Sequence, residues 1–331
     1  MENSNKIVPP HLNAEVYRTD TTGTRTLSYL DYIRFHSDGT VLIGCSELSG
    51  RYWDGGANIY KKDAEEEDCI NLERKNINLT SGTAVGCFVE NSDRVFLCED
   101  SGAVSIWTMQ DDVWKQWDEE LSVAEHDDAV LSLDCLQPGK EYVTTGADGS
   151  VKVWDIYDLI CIRNYSSAHT MAVNTVSVRP KSQTTFATGS LDQFISLWDE
   201  NVSQPVCDVL QNDCGIRCLK WLDENSLIFG DDAGTLSLLD VRMPGRSTKL
   251  TQFPAAVHQF EFQPESNKLA VCCDNKILTV CEITEETNVK VTHEDRNTHK
   301  GFIRGIAWDP NDTNVLYSVG WNGEFFKRNV N

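Results

Sequence analysis

Basic residues are scarce in this sequence compared with acidic ones. Its 331 residues include 29 Lys and Arg against 51 Asp and Glu, so the formal net charge is −22. Proteins that bind nucleic acid or anionic membranes need a basic face to contact phosphate groups. The charge therefore argues against both and favours a basic partner or substrate, although an acidic surface also serves solubility alone. We predict no direct contact with nucleic acid or membrane.

Sequence patterns of catalysis, metal binding and targeting are also missing. The twelve cysteines form no Cys-x-x-Cys pair, and many lie in apolar runs, which is typical of a reducing compartment. The seven histidines are too dispersed for a zinc cluster, and neither a phosphate-binding Gly-rich loop nor a Gly-x-Ser-x-Gly elbow occurs. We find no signal peptide and no apolar run long enough for a membrane span. The prediction is a protein that is not an enzyme and has no cofactor or metal.

The most informative stretch that is present runs from Thr144 to Asp155, TTGADGSVKVWD. It predicts two short strands joined by a tight Asp-Gly turn, with a Trp-Asp pair closing the second strand. His126 stands about 22 positions before Asp148, which leaves room for two strands and two turns. In such an arrangement each polar group supplies the partner that the next one needs in a dry interior. The predicted hydrogen-bonded network consists of His126, Thr144, Asp148 and Trp154.

The same pattern returns in FATGSLDQFISLWD, where the second network consists of His169, Thr188, Asp192 and Trp198. The two tryptophans are about 44 residues apart, which is the period of the four-stranded blade of a WD-type β-propeller. A histidine beside two aspartates, as in the first copy, is also a candidate for a catalytic base. Because the histidine recurs with the same partners one repeat later, we favour a structural role.

Degenerate copies of this repeat fill the rest of the chain. The residues predicted to close the third strand of each copy are Tyr60, Trp107, Trp154, Trp198, Leu239, Cys281 and Arg328. Their spacings of about 41 to 47 residues stay within the range of one blade. The last copy retains three members of the network, His299, Ser318 and Asn322. The predicted fold is therefore all-β, a seven-bladed WD-repeat β-propeller.

The last blade lacks a fourth strand, because the sequence of blade 7 runs out at Val330 after its third. A short strand predicted at Ala14 to Thr19 can pair there and close the ring, which removes two exposed sheet edges. The predicted organisation is a flexible N-terminus over residues 1–11, followed over residues 12–331 by the propeller, whose blade 7 the N-terminal strand completes.

The connection between the second and third strands of blade 1 differs from the tight turn of blade 3. Residues 46–55, SELSGRYWDG, predict a longer, irregular loop on the face where the blades are joined. The loop carries the candidate partner-binding residues Arg51, Tyr52 and Trp53. Exposed Trp and Arg are enriched among residues that anchor protein interfaces. The alternative is that Trp53 packs back onto blade 1 as part of its core.

Five segments carry a more specific resemblance. They are LSGRYWDG (Leu48 to Gly55), EDSGAVSIW (Glu99 to Trp107), EHDDAVLSL (Glu125 to Leu133), GDDAGTLSLLD (Gly230 to Asp240) and SVGWNGEFF (Ser318 to Phe326). Together they resemble the WD-repeat subunit of the methylosome, the methylosome protein 50 family. The blade motifs are generic, whereas the LSGR-x-W loop combined with the terminal VGW stretch is specific. The likeness extends across essentially the whole predicted propeller.

The resemblance implies a non-catalytic subunit of a type II, symmetric protein arginine methyltransferase, with four copies of each chain in a hetero-octamer. It also implies presentation of basic, Arg-rich substrates such as histones and Sm-type proteins. Within the family the loop Trp inserts into the barrel domain of the methyltransferase, and the matching residue here is Trp53, with Arg51 as the loop Arg. We expect the protein in the cytoplasm and the nucleus.

Two other functions stay open at this point. Asp240-Val241-Arg242 resembles the Asp-x-Arg of substrate receptors of cullin-type ubiquitin ligases, although the arginine can also simply cap a loop. The third hypothesis is an enzyme that uses the central channel of the propeller.

Overall fold

The computed structural model describes residues 26–49, 52–60, 76–110, 116–283, 289–321 and 323–330. All regular structure in this part of the chain is β-strand, arranged as seven antiparallel sheets. Six of these sheets have four strands, and the last along the chain has three. The predicted flexible N-terminus and the predicted closing strand at residues 14–19 lie outside the described residues.

Each sheet is one blade, and its strands pair in chain order. Blade 1 contains β1 (Thr26–Phe35), β2 (Val41–Ser49), β3 (Tyr52–Tyr60) and β4 (Ile77–Leu79), and blade 2 contains β5 (Val85–Val89), β6 (Asn91–Cys98), β7 (Ala103–Met109) and β8 (Trp117–Ala124). Blade 3 contains β9 (Val130–Gln137), β10 (Glu141–Gly146), β11 (Val151–Asp155) and β12 (Ile160–Tyr165), and blade 4 contains β13 (Val173–Val178), β14 (Thr185–Ser190), β15 (Phe194–Asp199) and β16 (Cys207–Gln211). Blade 5 contains β17 (Ile216–Trp221), β18 (Ser226–Asp231), β19 (Thr235–Asp240) and β20 (Ser247–Gln252), and blade 6 contains β21 (Val257–Gln263), β22 (Lys268–Cys273), β23 (Leu278–Ile283) and β24 (Val289–Asp295). Blade 7 contains β25 (Ile303–Trp308), β26 (Val315–Gly320) and β27 (Glu324–Asn329).

The seven closing positions predicted from the repeat all lie in third strands, which confirms the assignment of the blades. Trp154 in β11 pairs with Tyr142 in β10. Arg328 takes the same place in blade 7, opposite Leu316. The degenerate copies therefore keep the register of the complete ones even where the side chain has changed.

The apolar core lies between the blades. A middle strand such as β10 is buried along its whole length, because both faces of each sheet pack against neighbouring sheets. Seven clusters of buried side chains fill the seven interfaces between described blades. One of them joins Leu30 of blade 1 to Tyr317 of blade 7, and a backbone bridge pairs Tyr29 with Trp321. Blades 1 and 7 are thus in direct contact, and the ring is closed.

A tight turn in blade 3 brings this blade against the connection that leads into blade 4. Gly149 has a φ of 77°, a left-handed conformation that residues with a side chain rarely adopt. A Cβ at this position would lie 2.8 Å from the carbonyl oxygen of His169. The backbone N–H of His169 in turn donates to the carbonyl of Gly149 at 3.1 Å. Glycine therefore lets the predicted Asp-Gly turn lie directly on the histidine of the next network.

Candidate functional site

The predicted network of blade 3 is present and buried. Thr144 Oγ1 accepts a hydrogen bond from Trp154 Nε1 at 2.8 Å and lies 2.9 Å from His126 Nε2. Asp148 lies 3.1 Å from Nδ1 of the same histidine and accepts the backbone N–H of Ser150 at 2.9 Å. Because a carboxylate only accepts hydrogen bonds, Nδ1 carries the proton and donates to Asp148, while the Thr144 hydroxyl donates to Nε2.

The electrostatics of this network support a structural role for its histidine. Burial lowers the pKa of His126, although the Asp148 carboxylate opposes the shift, so the imidazole is neutral at pH 7. For Asp148, burial raises the pKa, but hydrogen bonds from Ser150 and Asp127 and the nearby histidine outweigh it and leave the pKa below its usual range. The His126 side chain has no exposed surface. A substrate cannot reach it, so it does not serve as a catalytic base.

Blade 4 repeats the arrangement, as the sequence predicted. His169 Nε2 lies 2.8 Å from Thr188 Oγ1, which also accepts the indole N–H of Trp198 at 2.8 Å. Asp192 lies 3.0 Å from His169 Nδ1. The two complete networks thus have the same donors and acceptors, at distances that agree within 0.1 Å. Each joins the connection that precedes a blade to the second and third strands of that blade.

Blade 7 rebuilds the network with different residues. His299 Nε2 lies 2.8 Å from Ser318 Oγ, and Arg328, in the tryptophan place, donates to the same oxygen. Asn322, predicted for the turn, lies outside the described residues. Glu324 lies 3.4 Å from His299 Nδ1, and it accepts the backbone N–H of the next residue after the histidine at 2.9 Å. Glu324, which lies beyond the turn, therefore makes the contacts that the turn aspartate makes in the complete networks. This role was not predicted from the sequence, because the counterpart of the aspartate was expected within the turn.

The segment that carries the candidate partner-binding residues is not the irregular loop that the sequence predicted. β2 and β3 continue to pair up to Ser49 and Tyr52, so Trp53 is a strand residue opposite Leu48. Continued pairing satisfies backbone N–H and C=O groups that an irregular loop would leave to water. Arg51 lies outside the described residues, as does the side chain of Tyr52.

Trp53 lies at the rim of the central channel with 45 % of its surface exposed. Its ring centroid is 5.5 Å from that of Tyr29, and its Nε1 donates a long hydrogen bond of 3.4 Å to Asp100 Oδ2. An exposure of this size rules out the alternative of a core position. The sequence predicted that Trp53 projects from the face that carries the connections between blades. Consistent with this prediction, Trp53 lies beside Gly82, in the connection between β4 and β5.

Aromatic rings and carboxylates come together beside Trp53. We call this group the channel mouth, and it consists of Tyr29, Asp31, Trp53, Asp100 and Trp321. The ring centroid of Trp321 is 5.5 Å from that of Tyr29, and its Nε1 donates to Asp31 Oδ1 at 3.1 Å. Ser46 Oγ donates to the other oxygen of Asp31 at 2.7 Å. The two indoles of the mouth therefore each donate to a carboxylate.

Burial opposes the ionisation of the two carboxylates of the channel mouth. Burial raises the pKa of Asp31 to about 6, although the hydrogen bonds from Ser46 and Trp321 act in the other direction. Burial also raises the pKa of Asp100, while its hydrogen bond from Trp53 opposes the shift. Both carboxylates are thus less stable as anions than they would be in water.

We expect Asp31→Asn to stabilise the protein at pH 7 by about 2 kcal/mol, because the neutral amide avoids the cost of a partly buried anion. The folded-state pKa of Asp31 is raised, so protonation on acidification relieves this cost in the wild type. The stability difference should therefore be largest above pH 6 and disappear as the pH falls towards 4. Urea denaturation of both proteins between pH 4 and 8 measures it. A variant that is less stable at pH 7 would contradict the raised pKa.

Deeper in the channel the carboxylate of Glu261 is paired with two cations. The channel has a volume of about 740 Å³ and is lined by the first strands of all seven blades. Lys220 Nζ lies 2.5 Å from Glu261, and Arg34 lies 3.8 Å from the same side chain. Burial raises the pKa of Glu261, but these two cations outweigh it and leave the pKa below its usual range. The charge of Glu261 is thus neutralised locally, in contrast to the carboxylates of the channel mouth.

The Asp-x-Arg motif, which suggested a substrate receptor of a ubiquitin ligase, forms an ion pair between its own two charged residues. Arg242 Nε and Nη2 donate to the carboxylate of Asp240 at 2.9 and 2.6 Å, within the turn that follows β19. This contact explains the spacing of the two residues by local structure. The geometry favours the interpretation that Arg242 caps its own turn.

The described part of the chain contains neither a metal-binding cluster nor a membrane-spanning helix. No group of three or more His, Cys, Asp or Glu side chains there could hold a metal ion. No described helix has the length and apolar character that a membrane span requires. Cys272 and Cys273 belong to two different core clusters, as expected for neighbours on opposite faces of a strand.

Comparison with known proteins agrees with the geometry. A model of the WD domain, G-beta repeat, matches residues 117–155 and 160–199. These residues run from β8 through β15 and contain both complete networks. The chain is a WD-repeat β-propeller. The family model matches the two clear copies of the repeat. The structure shows five further blades, whose repeat sequences are degenerate.

One relative matches this WD-repeat protein along most of its length. Methylosome protein WDR77 of Xenopus laevis is 27 % identical, and the match covers 88 % of this chain and 86 % of that protein. Two other relatives match less well. Protein groucho of Drosophila melanogaster is 26 % identical, and the match covers 52 % of this chain and 18 % of that protein. A ribosome biogenesis protein WDR12 homologue of Drosophila mojavensis is 22 % identical, and the match covers 69 % of this chain and 57 % of that protein. The resemblance to the methylosome subunit predicted from sequence is confirmed.

Proposed function

We propose that this WD-repeat protein is the non-catalytic subunit of a complex with a type II protein arginine methyltransferase. The similarity to a methylosome protein over 88 % of the chain supports this proposal. In the proposed complex the propeller holds the methyltransferase and presents basic, Arg-rich proteins such as histones and Sm-type proteins to it. Four copies of each chain form the assembly, which resides in the cytoplasm and the nucleus.

The observation that carries the proposal is the position of Trp53. A large aromatic side chain with 45 % exposure stands on a paired hairpin at the channel rim. An indole on regular strands loses little conformational entropy when a partner pocket encloses it. Buried in such a pocket, a tryptophan at the centre of an interface contributes roughly 2 kcal/mol or more. We therefore assign Trp53 as the anchor for the methyltransferase.

The net charge supports the presentation of substrates. A formal charge of −22 creates a negative field that raises the local concentration of Arg-rich chains around the propeller. In this role the chain supplies binding surface, and the chemistry belongs to the methyltransferase. The contacts of Arg242 with its own turn give no support to the ubiquitin-ligase alternative.

Co-expression with the type II methyltransferase tests the proposal. We expect the two chains to co-elute in size-exclusion chromatography, with a mass from light scattering that corresponds to four copies of each. A type I methyltransferase serves as the matched control and is expected to elute separately. Elution of the type II enzyme apart from the propeller would contradict the proposal.

A further inference from the structure

The outer strand of blade 3 is unusually apolar for a strand at the edge of a sheet. Ile160 and Ile162 in β12 are 56 % and 40 % exposed, and Tyr157 in the turn before the strand is 77 % exposed. Among the other described fourth strands, β24 has one exposed large hydrophobic side chain, Val291, and β4, β8, β16 and β20 have none. β12 therefore exposes more large apolar side chains than any other outer strand in the described part of the chain.

β12 also has an open edge. It pairs with β11 on one side, and no other described strand pairs with it. Such an edge presents a row of backbone N–H and C=O groups, which proteins usually protect with charged side chains, as β8 does with Asp118, Glu119 and Glu120. β12 has one charged residue, Arg163, and its Nε donates to the carbonyl oxygen of Glu200 in blade 4 at 3.0 Å. The edge of β12 is thus open to an added strand.

Carboxylates outnumber cations around this edge. Residues 155–163 lead into β12 and form its first half, and residues 199–206 of blade 4 lie against the strand through the contact of Arg163. Together the two segments hold four carboxylates and one basic side chain. The carboxylates are those of Asp155, Asp158, Asp199 and Glu200. Because the whole chain has a formal charge of −22 as well, the edge favours a basic partner over a second copy of this chain.

We propose that the open edge of β12 binds an extended, basic segment of a partner protein as an added β-strand. Backbone N–H and C=O groups of the segment pair with those of β12, which is the source of affinity when a strand is added to a sheet. Apolar side chains of the segment cover Ile160 and Ile162, and its basic side chains lie beside the four carboxylates. The inference rests on the proposed function, since it gives the basic, Arg-rich substrates a place on the propeller.

This edge is separate from the proposed anchor for the methyltransferase. Trp53 lies on blade 1 at the rim of the channel, whereas β12 is the outermost strand of blade 3. A segment bound to β12 therefore leaves the indole free for the enzyme. The added strand also removes the apolar surface of Ile160 and Ile162 from water, which favours binding.

Isothermal titration of the full chain with the acetylated and amidated hexapeptide Arg-Val-Arg-Val-Arg-Val tests the inference. We expect saturable binding to the wild type. The double variant Ile160→Ser, Ile162→Ser removes apolar surface without changing the charge, and it should bind about tenfold more weakly. Val291→Ser is the matched control, because it removes an exposed apolar side chain from the outer strand of blade 6. Its affinity for the peptide should equal that of the wild type.

Hydrogen exchange followed by mass spectrometry locates the bound peptide. Amide hydrogens exchange more slowly when they are paired in a sheet. Saturation with the peptide should therefore slow exchange in residues 158–165 and leave the outer strand of blade 6 unchanged. Slowed exchange elsewhere on the propeller, without an effect in β12, would overturn the inference.

Three further results would contradict the proposal. They are absence of wild-type binding, equal affinities of the wild type and the double variant, and equal binding of the peptide Glu-Val-Glu-Val-Glu-Val, which keeps the strand pattern and reverses the charge. A dimer in light scattering that the double variant dissociates would show that a second copy covers the edge instead. Thermal unfolding of the variants excludes misfolding as the reason for a loss.

The titration contains no methyltransferase, so the site and the proposed complex can fail separately. A propeller that co-elutes with the enzyme but does not bind the peptide refutes this site alone. A propeller that binds the peptide through β12 but elutes apart from the enzyme refutes the proposed complex and leaves the site in place.

Discussion

Replacing Trp154 with alanine is expected to lower the free energy of unfolding by about 4 kcal/mol. The side chain has no exposed surface and packs in the cluster between blades 2 and 3. Its loss leaves a cavity there, because neighbouring strands are held in register and cannot collapse into the space. It also removes the indole N–H that donates to Thr144 at 2.8 Å. Urea denaturation followed by circular dichroism measures the change.

The polar part of this effect can be separated from the cavity. Asp148→Ala leaves the indole in place but removes the acceptor of the His126 ring and of the Ser150 N–H. Each buried donor left without a partner costs about 1–3 kcal/mol, so we expect a loss of several kcal/mol. Tyr157→Ala is the control, since its side chain is 77 % exposed. Wild-type unfolding of Asp148→Ala would contradict the assignment of the network.

The second large effect concerns binding. Trp53→Ala is expected to weaken the complex with the type II methyltransferase by about 30-fold or more, because a central tryptophan anchor contributes roughly 2 kcal/mol or more. Stability should change little, since nearly half of the side chain is already exposed. Surface plasmon resonance on the immobilised methyltransferase gives the affinity, and thermal unfolding of the same samples gives the stability.

Met243→Ala provides the matched control for this experiment. Met243 is 52 % exposed, similar to Trp53, but it lies in the turn after β19 and far along the chain from the β2–β3 hairpin. Its removal should leave the affinity for the methyltransferase unchanged. Equal affinities of Trp53→Ala and the wild type would show that the enzyme binds elsewhere on the propeller.

The repeat was readable from sequence where the chemistry of a network demands particular residues. Trp154 and Trp198 could be placed because each must donate to a threonine ten positions earlier, and only a few residue types satisfy that geometry. Blade 7 shows the limit of this reasoning. Arg328 was placed correctly by its spacing, but the contact of Glu324 with His299 was not predicted, because a longer side chain reaches the same point from a different position.

The hairpin of blade 1 shows a second limit. SELSGRYWDG contains two glycines and several polar residues, and by composition it is typical of a loop. In the structure residues 46–49 pair with residues 52–55, and a Cβ on Gly55 would lie 2.3 Å from the carbonyl oxygen of Ser81. Gly55 therefore serves close packing against the next connection, and it does not mark an irregular turn. Composition alone cannot separate these two uses of glycine.

By itself, the sequence determined the number of blades and the two complete networks, because each depends on residue types at fixed spacing along one chain. It left open whether Trp53 is exposed or packs onto blade 1, and the structure decided for exposure. Only the tertiary structure decided which side chains meet at the channel mouth. Tyr29 and Trp321 come from opposite ends of the chain, and they meet because blade 7 packs on blade 1. The hydrogen bond of Asp31 with Trp321 and the raised pKa of Asp31 follow from that closure and from the burial it creates.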